Sequence, residues 1–374
     1  MSKIKILIIA PTPYFSDRGC HVRILEEAQA LQKKGLKINL FTYHLGRDVG
    51  DFNIYRLSKF WFPWYQKKSP GPSFTKIFLD FLLIIKISFY LLSNKVDLIH
   101  AHLHEGFFIA YIARFLLWKK IPIITDVQGS LSLELESHQF LTSLFFKKIF
   151  KKLENFVTKK SDFLLVSSQN YFQDLLKIRK KNITYLADAF SSYLKTSKKK
   201  TTSKKNFTVG YLGGLQTYKG AKTLLEIAQK VVLKNPKIIF HIMGYPVDKK
   251  FITVVKNKKL EKNILFLGKI KYEDSLNYLK NCDLLISPKK DLTEGHGKLF
   301  LYMQTGKNIL VFNNQTNQAI LGKNGIYLDH TKDFILQILN LSEQKNLFQI
   351  KYQNKTWDEQ IQEILLPVYQ KFLS

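Results

Sequence analysis

The segment EGHGK at residues 294–298 combines an acidic side chain, two glycines and a lysine. It follows the apolar run CDLLISP, so a strand is predicted to give way to a helix here. A helix amino terminus carries unpaired N–H groups and partial positive charge that attract an anion, and Lys298 adds a full charge. Glycine allows the backbone to approach a ligand closely. As a mere helix cap, Glu294 would contribute about 0.3–1 kcal/mol, and a cap would not need both glycines.

A second candidate for anion binding is the turn GGLQTYKG, which begins at Gly213 and Gly214. It lies between a predicted strand and a predicted helix, and Lys219 would supply the cation. Neither the Walker pattern nor the dinucleotide pattern G-x-G-x-x-G is present. Spacing alone supports equally an ordinary turn with a solvated lysine.

Three histidines alternate in HAHLHEG, where a strand is predicted to end: His100, His102 and His104. Alternating residues share one face of a strand, and an H-x-H pair of this kind would suit a metal-dependent hydrolase. No further cluster of acidic or histidine ligands with comparable context follows along the chain. The hydrolase therefore remains the less favoured alternative.

The elements that position these residues alternate between strand and helix. Apolar runs predict strands at residues 4–10, 36–43, 96–102, 121–127, 162–168, 207–212, 237–244, 263–268, 283–288 and 308–313. Helical periodicity separates them, as in Val22, Leu25, Ala28 and Leu31. The polar segment KTSKKKTTSKKN, residues 195–206, is a natural linker. The pattern predicts an α/β protein with two doubly wound parallel sheets, whose ligands bind beyond the carboxyl ends of the strands.

Composition limits the choice of partners. The chain has 374 residues, 58 Lys and Arg against 29 Asp and Glu, and a net charge of +29. A nucleic-acid partner is not expected, because there is no RNP-like motif, zinc-finger spacing or arginine-rich arm. The charge fits either lysine-rich solvated faces or polyanionic partners such as a sugar nucleotide or an anionic membrane. Two cysteines far apart favour a cytoplasmic protein, and the apolar amino terminus is predicted to be a buried strand.

Two segments favour contact with a membrane surface. Residues 139–162 mix phenylalanine and leucine with paired lysines, as in a basic amphipathic helix, and FWFPWYQKK at residues 60–68 is similar in character. The alternative is a domain helix with its apolar face in the core. The run at residues 77–92 is interrupted by Asp80 and Lys86 and is too short to span a bilayer. A buried or interfacial helix is expected there.

Several motifs in the right order resemble the retaining glycosyltransferases of family 4 over nearly the whole chain. They are the YLGGLQTYKG turn, the strand–EGxG–helix element, the RGCHVRILEEAQALQKKG helix and the final TWDEQIQEILLPVYQKFL segment. The resemblance implies the GT-B architecture, with two Rossmann-like domains facing a cleft and a carboxyl-terminal crossover helix. The domains would be 1–194 for the acceptor, 207–355 for the nucleotide-sugar donor and 356–374 for the helix that returns to the first domain.

The resemblance also implies roles for individual residues. Glu294 would orient the donor sugar, while Lys219, Lys298 and backbone amides would hold the departing diphosphate without a metal; no D-x-D motif is present. The implied donor-binding residues are Gly19, Gly213, Gly214, Lys219, Glu294, Gly295, His296, Gly297, Lys298 and Leu299. The implied acceptor or sugar-side residues are His21, His102, His104, Glu105 and Gln128. For His21, a position on the helix surface is an equal alternative.

The chain departs from the family pattern at three site positions. Leu301 replaces a glutamate that binds the nucleotide ribose, Gly214 replaces a phosphate-binding arginine, and Gln128 replaces a histidine near the transferred sugar. A decayed homologue that binds sugar nucleotides without turnover is one explanation. The other, favoured because Glu294 and Lys219 are retained, is an active transferase with altered donor contacts.

The expected function is therefore transfer of a sugar from a nucleotide-sugar donor to an acceptor hydroxyl with retention of configuration. No cofactor is expected, because the nucleotide sugar is a substrate. A sugar, lipid-linked or polysaccharide acceptor is expected, and the protein would be cytoplasmic or peripheral on the inner face of the plasma membrane.

Overall fold

The computed structural model describes residues 4–61, 63–66, 73–137, 144–195, 206–215, 220–245, 247–290, 296–344, 347 and 349–373. The chain forms two compact units. The first contains Met1–Tyr193 together with Lys355–Ser374, and the second contains Leu194–Leu292 and His296–Asn354. Apart from Lys195 and Asn206, the predicted linker lies outside the described residues.

The first unit is built on a seven-stranded parallel sheet. Its strands are β1 (Lys5–Ala10), β2 (Lys37–Thr42), β3 (Asn53–Arg56), β4 (Leu98–His102), β5 (Ile123–Val127), β6 (Phe163–Val166) and β7 (Ile183–Tyr185). Their order is β3-β2-β1-β4-β5-β6-β7. The five predicted strands are confirmed, whereas β3 and β7, which form the two edges, were not predicted. Both are short and only partly buried, so they lack the apolar run that marks a central strand.

Helices cover this sheet. They are α1 (Gly19–Lys33), α2 (Phe74–Ser93), α3 (Leu103–Leu116), α4 (Leu131–Ser137), α5 (Leu144–Lys160) and α6 (Gln169–Leu176). One hydrophobic core joins the sheet to α2, α3, α5 and α6. In α2, Leu79, Leu83, Ile87 and Leu91 recur every four residues and are fully buried, which explains why this apolar helix packs on the sheet.

The carboxyl-terminal segment packs on the first unit. It runs through α13 (Trp357–Gln360), a π-helical turn (Ile361–Leu365) and α14 (Leu366–Leu373). Thr356 caps its start, and the side chain of Glu359 completes a capping box. Contacts with α1 and β4 hold the segment in place. Helix α1 is thereby covered on two sides, so its charged residues Arg23, Glu26 and Glu27 are buried rather than solvated.

The second unit is built on a six-stranded parallel sheet in the order β10-β9-β8-β11-β12-β13. Its strands are β8 (Phe207–Leu212), β9 (Ile238–Met243), β10 (Ile264–Gly268), β11 (Leu284–Ser287), β12 (Asn308–Phe312) and β13 (Ile326–Leu328). Its helices are α7 (Ala221–Lys234), α8 (Lys249–Asn257), α9 (Tyr272–Lys280), α10 (Gly297–Met303), α11 (Gln315–Leu321) and α12 (Thr331–Glu343). The prediction of two parallel-sheet α/β domains is confirmed.

Helix α12 was not predicted, although its buried Phe334, Ile335, Ile338 and Leu341 carry the helical period. Among helices in the described part of the chain, none is both long enough and apolar enough to cross a bilayer.

Candidate functional site

Lys219, Glu294 and Gly295, which are central to the sequence-based site, lie outside the described residues. Residues on both sides of their loops are described and belong to the second unit. These flanking residues follow the ends of β8 and β11 or precede α7 and α10.

The two loops meet at Gly220, the residue before α7. Its φ is 84°, in the left-handed region, and a Cβ here would lie 2.3 Å from the carbonyl oxygen of Pro288. Only glycine fits such a contact. Because Pro288 directly follows β11, the loops after β8 and β11 approach each other at this point.

A second contact joins the turn after β8 to the start of α10. The Nζ atom of Lys298 lies 4.3 Å from the centre of the Tyr211 ring. A Cβ on Gly213 would lie 3.3 Å from the same Nζ atom. The hydroxyl of Tyr211 donates to the carbonyl oxygen of Gly214 at 2.8 Å. Three predicted donor-binding residues, Gly213, Gly214 and Lys298, therefore lie together beyond the end of one strand.

The first turn of α10 is anchored by buried contacts. His296, the residue before the helix, is 3% exposed, and its Nδ1 lies 2.7 Å from Oδ1 of Asn317. Gly297 is the first helical residue. Leu299 is fully buried and its amide donates to the carbonyl of His296 at 2.8 Å, so this amide is already used within the helix. Leu301, which stands where the resemblance implies a ribose-binding glutamate, is buried too.

Gly19 belongs to the first unit and is the first residue of α1. A Cβ at this position would meet no atom within 4 Å. Packing within the protein therefore does not require glycine here. The remaining reason for a glycine at this position is close approach of a ligand to the backbone.

His21 is fully buried, so the alternative that placed it on a helix surface is wrong. The amide of Ser16 donates to its Nδ1 at 2.9 Å. The rings of Tyr14 and Phe15 flank it, each with its centre 6.1 Å away. His21 thus holds the loop between β1 and α1 from the inside.

The prediction that three histidines share one face of a strand holds for His100 and His102 but not for His104. The strand ends at His102, and His104 already lies in the first turn of α3, so it leaves the face of the other two. Burial lowers the pKa of His104, which favours the neutral imidazole.

Glu154 on α5 organises the loop after β5, where Gln128 lies. It is 1% exposed and accepts hydrogen bonds from the hydroxyls of Ser130 and Ser132 at 2.7 and 2.9 Å. Within the described structure, Nε2 of Gln128 is buried without a hydrogen-bond partner. Such a donor is costly unless a ligand accepts from it. Glu105 is only half-buried.

His100 and His102 form a stacked pair, with ring centres 4.4 Å apart and planes inclined by 14°. Both are fully buried. Nδ1 of His100 lies 2.6 Å from the hydroxyl of Tyr369, and Nδ1 of His102 lies 3.1 Å from Oδ2 of Asp126. Burial lowers the pKa of His100 well below its usual range.

Arg23 and Glu27 on α1 complete this buried cluster. Arg23 donates to both carboxylate oxygens of Asp126, at 2.8 and 3.0 Å, and to Asp188 at 2.9 Å. Burial alone would raise the pKa of Asp126, but Arg23 and His102 lower it below its ordinary range. Burial raises the pKa of Glu27 well above its usual range, against the opposing effect of Arg23.

Sequence reasoning found the histidine pair but missed Arg23, Glu27, Asp126 and Glu154. The first three come from α1 and β5, and no local spacing connects them to β4. In α1 and α5 the charged residues have the pattern of a solvated face. The sequence does not indicate which other elements cover these helices, so it does not predict that these charged residues are buried.

Comparison with known proteins identifies families for both parts of the chain. Residues 18–186 match the model of glycosyltransferase family 4, and residues 192–349 match that of glycosyl transferases group 1. CapJ of Staphylococcus aureus is 33% identical over 90 residues, which are 24% of this chain and 22% of CapJ. An uncharacterised glycosyltransferase from Methanocaldococcus jannaschii is 26% identical over 260 residues, 66% of this chain and 65% of the relative. The chain thus spans less than two-thirds of either relative.

Solved structures share the fold along the full chain. HepE from Anabaena, in complex with UDP and glucose, has a TM-score of 0.69 at 15% identity, covering 98% of both chains. TarM from S. aureus, in a complex that includes UDP, has a TM-score of 0.68 at 13% identity, covering 99% of this chain and all of that one. The sheet topology, the two matched regions and these neighbours agree. The chain belongs to the group 1 glycosyltransferases of GT-B fold, with an amino-terminal domain of glycosyltransferase family 4.

Proposed function

We propose that this protein transfers a sugar from a nucleotide-sugar donor to an acceptor hydroxyl with retention of configuration, and that UDP is the first nucleotide to test. HepE and TarM, the neighbours described above, were both solved with UDP. The observation that carries the proposal is the meeting of Lys298 with the turn after β8 in a chain of this family. It sets a cation beside glycines at the carboxyl end of a parallel sheet, where such sheets bind nucleotides.

Charge stabilisation at the diphosphate is the main catalytic device in this proposal. Lys298 and Lys219 offset the negative charge that grows on the leaving group as the glycosidic bond breaks, with help from the amides of Gly19 and Gly297. Helix α10 has only seven residues, so we assign the larger share to the lysines. Catalysis then needs no metal at the diphosphate.

Glu294 orients the donor sugar by accepting hydrogen bonds from its hydroxyls. The acceptor hydroxyl attacks from the face that the diphosphate leaves, and its proton passes to a phosphate oxygen. Bond formation and bond cleavage on one face leave the anomeric configuration unchanged. This sequence of events needs no protein side chain as general base.

On the acceptor side we propose two kinds of role. Glu105 and Gln128 contact the acceptor or the transferred sugar, since one is half-buried and the other has an unused amide donor. His21, His102 and His104 are all nearly or fully buried. They position the loops behind the binding surface instead of touching the substrate.

A membrane surface is the proposed setting for the acceptor. Helix α3 contacts both α2 and α5, and the outward sides of these three helices are unusually apolar. On α2 alone Phe74, Ile77, Phe81, Phe89 and Leu92 are more than half exposed. Lysines on α5 border this surface, which suits a bilayer containing anionic lipid and a lipid-linked acceptor.

Two alternatives receive less support. A metal-dependent hydrolase would need a metal position open to substrate, and His100 and His102 are fully buried. A decayed homologue would bind the donor without turnover. Measuring binding and turnover on the same sugar nucleotide distinguishes the decayed homologue from the enzyme.

The first experiment is a thermal-stability screen against UDP-, GDP- and ADP-sugars. A donor at one hundred times its dissociation constant stabilises the folded state by about 2.7 kcal/mol, so one nucleotide class is expected to raise the melting temperature clearly. The matching free nucleoside diphosphate is expected to stabilise as well. If no member of the panel stabilises the protein or is consumed by it, the proposal is wrong.

A further inference from the structure

We propose that Glu27, His100 and His102 bind a structural divalent metal ion, with zinc as the first candidate, inside the first unit. The two imidazoles and the carboxylate come from β4 and α1, and all three side chains are fully buried. Imidazole nitrogen and carboxylate oxygen are both good zinc ligands. None of these three residues is among those proposed to bind the diphosphate.

The distances within the cluster fit a shared ion better than hydrogen bonds. Nε2 of His100 lies 3.6 Å from Oε2 of Glu27, and Nε2 of His102 lies 3.9 Å from the same oxygen. Both distances exceed the limit for a hydrogen bond. Two ligand atoms that are each about 2.1 Å from a zinc ion lie about 3.4 Å apart at the tetrahedral angle. A shift of a few tenths of an ångström would therefore close the site on an ion.

The atoms that converge have no hydrogen-bond partner in the described part of the structure. This holds for Nε2 of both histidines and for Oε2 of Glu27. The other oxygen of Glu27 lies 3.0 Å from Nε of Arg23, but that N–H group is directed to Asp126. Leaving three such groups buried and unsatisfied destabilises the folded state. One ion would satisfy all three at once.

The surrounding hydrogen bonds have the form that supports metal ligands. The opposite ring nitrogen of His100 is held by Tyr369 and that of His102 by Asp126, at 2.6 and 3.1 Å. A histidine ligand usually donates its other N–H to such a partner, which fixes the ring and the tautomer. Both histidines therefore direct Nε2 toward Glu27.

The charges around the cluster also favour a divalent cation. Arg23 is surrounded by three carboxylates, those of Glu27, Asp126 and Asp188, at 2.8 to 3.0 Å. A single guanidinium thus serves three carboxyl groups. A divalent ion would balance this excess in a region where buried charges need partners.

An ion at this place would tie three parts of the first unit together. Glu27 lies on α1, the histidines lie on β4, and Tyr369 brings in the carboxyl-terminal helix. The proposed role is structural because no ligand is open to solvent.

Metal analysis of untagged protein tests the site. After dialysis against a weak chelator, we expect about one equivalent of zinc per chain in the wild type and less than about one-tenth in Glu27→Gln and in His100→Ala. The matched control is His44→Asn, which alters another buried histidine of the same unit and should leave the metal content unchanged.

A second measurement keeps the proposal testable if the variants do not fold. X-ray absorption at the metal edge of the wild type is expected to show two imidazole ligands and oxygen. Removal of the ion with a strong chelator should lower the melting temperature, and added zinc should restore it. The proposal is overturned if the wild type takes up no zinc, cobalt, iron or manganese, or if bound metal remains in both variants.

Discussion

At the residue scale, Lys298 is the described cation to which we assign the diphosphate. Its ammonium rests over the Tyr211 ring at 4.3 Å and is held beside the glycine turn after β8. A cation–π contact of this kind orders a side chain that would otherwise move freely. In the proposed site, the diphosphate would therefore meet a preorganised charge, which is the condition under which electrostatic stabilisation is most effective.

Replacement of Lys298 by alanine is expected to reduce kcat/KM for the donor by about 10²-fold or more, because the charge acts on the developing diphosphate. Steady-state release of the nucleoside diphosphate measures this. Lys371→Ala is the matched control, since Lys371 also lies over an aromatic ring, that of Phe163, but outside the proposed site. Equal losses in the two variants would remove Lys298 from the mechanism.

Glu294→Gln keeps the shape of the side chain and removes its charge. We expect turnover to fall by about 10²-fold or more if the carboxylate binds the sugar mainly in the transition state. Glu343→Gln, at the exposed end of α12, should retain wild-type turnover. Full activity in the Glu294 variant would reject the role assigned to this residue.

The limits of sequence reasoning at this scale are visible in the buried cluster. Alternation predicted that His100 and His102 share a face, and their stacked rings confirm it. Glu27 and Arg23 belong to a helix far away in sequence, and only the tertiary fold brings them to the histidines. The predictions for Lys219 and Glu294 fall outside the described residues and stay predictions.

At the element scale, the carboxyl-terminal helix explains why α1 is buried. Trp357 is 2% exposed, and the guanidinium of Arg23 lies 5.3 Å from its ring centre. Lys33 at the end of α1 pairs with Asp358 at 2.9 Å. The helix is therefore an integral part of the first unit.

Trp357→Ala is expected to lower the free energy of unfolding by about 3–5 kcal/mol, since it removes a large buried side chain and leaves a cavity. Denaturant unfolding measures the change. Trp118→Ala is the control, because Trp118 is 87% exposed and its loss should change the stability by less than about 0.5 kcal/mol. A loss no larger than that of the control would mean that the helix contributes little.

Asp80 on α2 gives the first unit a predictable dependence on pH. Burial, with a smaller contribution from Glu105, raises its pKa to about 7 against the opposing effects of Tyr43 and Lys76. The Tyr43 hydroxyl donates to its carboxylate at 2.5 Å. In the unfolded chain the pKa is about 3.9. The stabilising effect of the bound proton is therefore complete below about pH 4 and is lost as the pH rises through about 7.

Asp80→Asn keeps an acceptor for Tyr43 and cannot ionise. Relative to wild type, its free energy of unfolding is expected to rise by about 1–2 kcal/mol between pH 5 and 7.5 and then to level off, with solvent at this half-buried site reducing the full shift. Denaturant unfolding at several pH values measures the difference. A difference that is constant with pH would show that Asp80 titrates normally.

Most elements with a strong local pattern were predicted, and elements with a weak pattern were missed. The central strands carry apolar runs and were predicted, whereas the short edge strands β3 and β7 carry almost no signal. Partly buried edge strands depend on the neighbour with which they pair, and sequence pattern does not identify that neighbour.

At the scale of the whole molecule, the excess of positive charge and the apolar helices of the first unit both support the proposed membrane partner. The net charge is +29. Exposed phenylalanines lie on α2 and α5, which both contact α3, and α5 also carries lysines. Apolar insertion and attraction to anionic lipid reinforce each other at a bilayer surface.

Liposome co-sedimentation tests this surface. The wild type is expected to bind vesicles containing anionic lipid, and replacement of Lys147, Lys148, Lys151 and Lys152 by glutamate should abolish binding, since each surface lysine contributes about 1 kcal/mol. The same change at Lys249, Lys250, Lys256 and Lys259 in the second unit is the charge-matched control. Equal binding by the wild type and both variants would rule out the proposed surface.

The most direct test of the central claim is a time course of the purified protein with a sugar nucleotide and candidate acceptors, followed by nuclear magnetic resonance. We predict that one nucleoside diphosphate is released and that the sugar appears in a product with the anomeric configuration of the donor. An inverted product would contradict the proposed mechanism, and a donor that binds but is never consumed would contradict the proposed function.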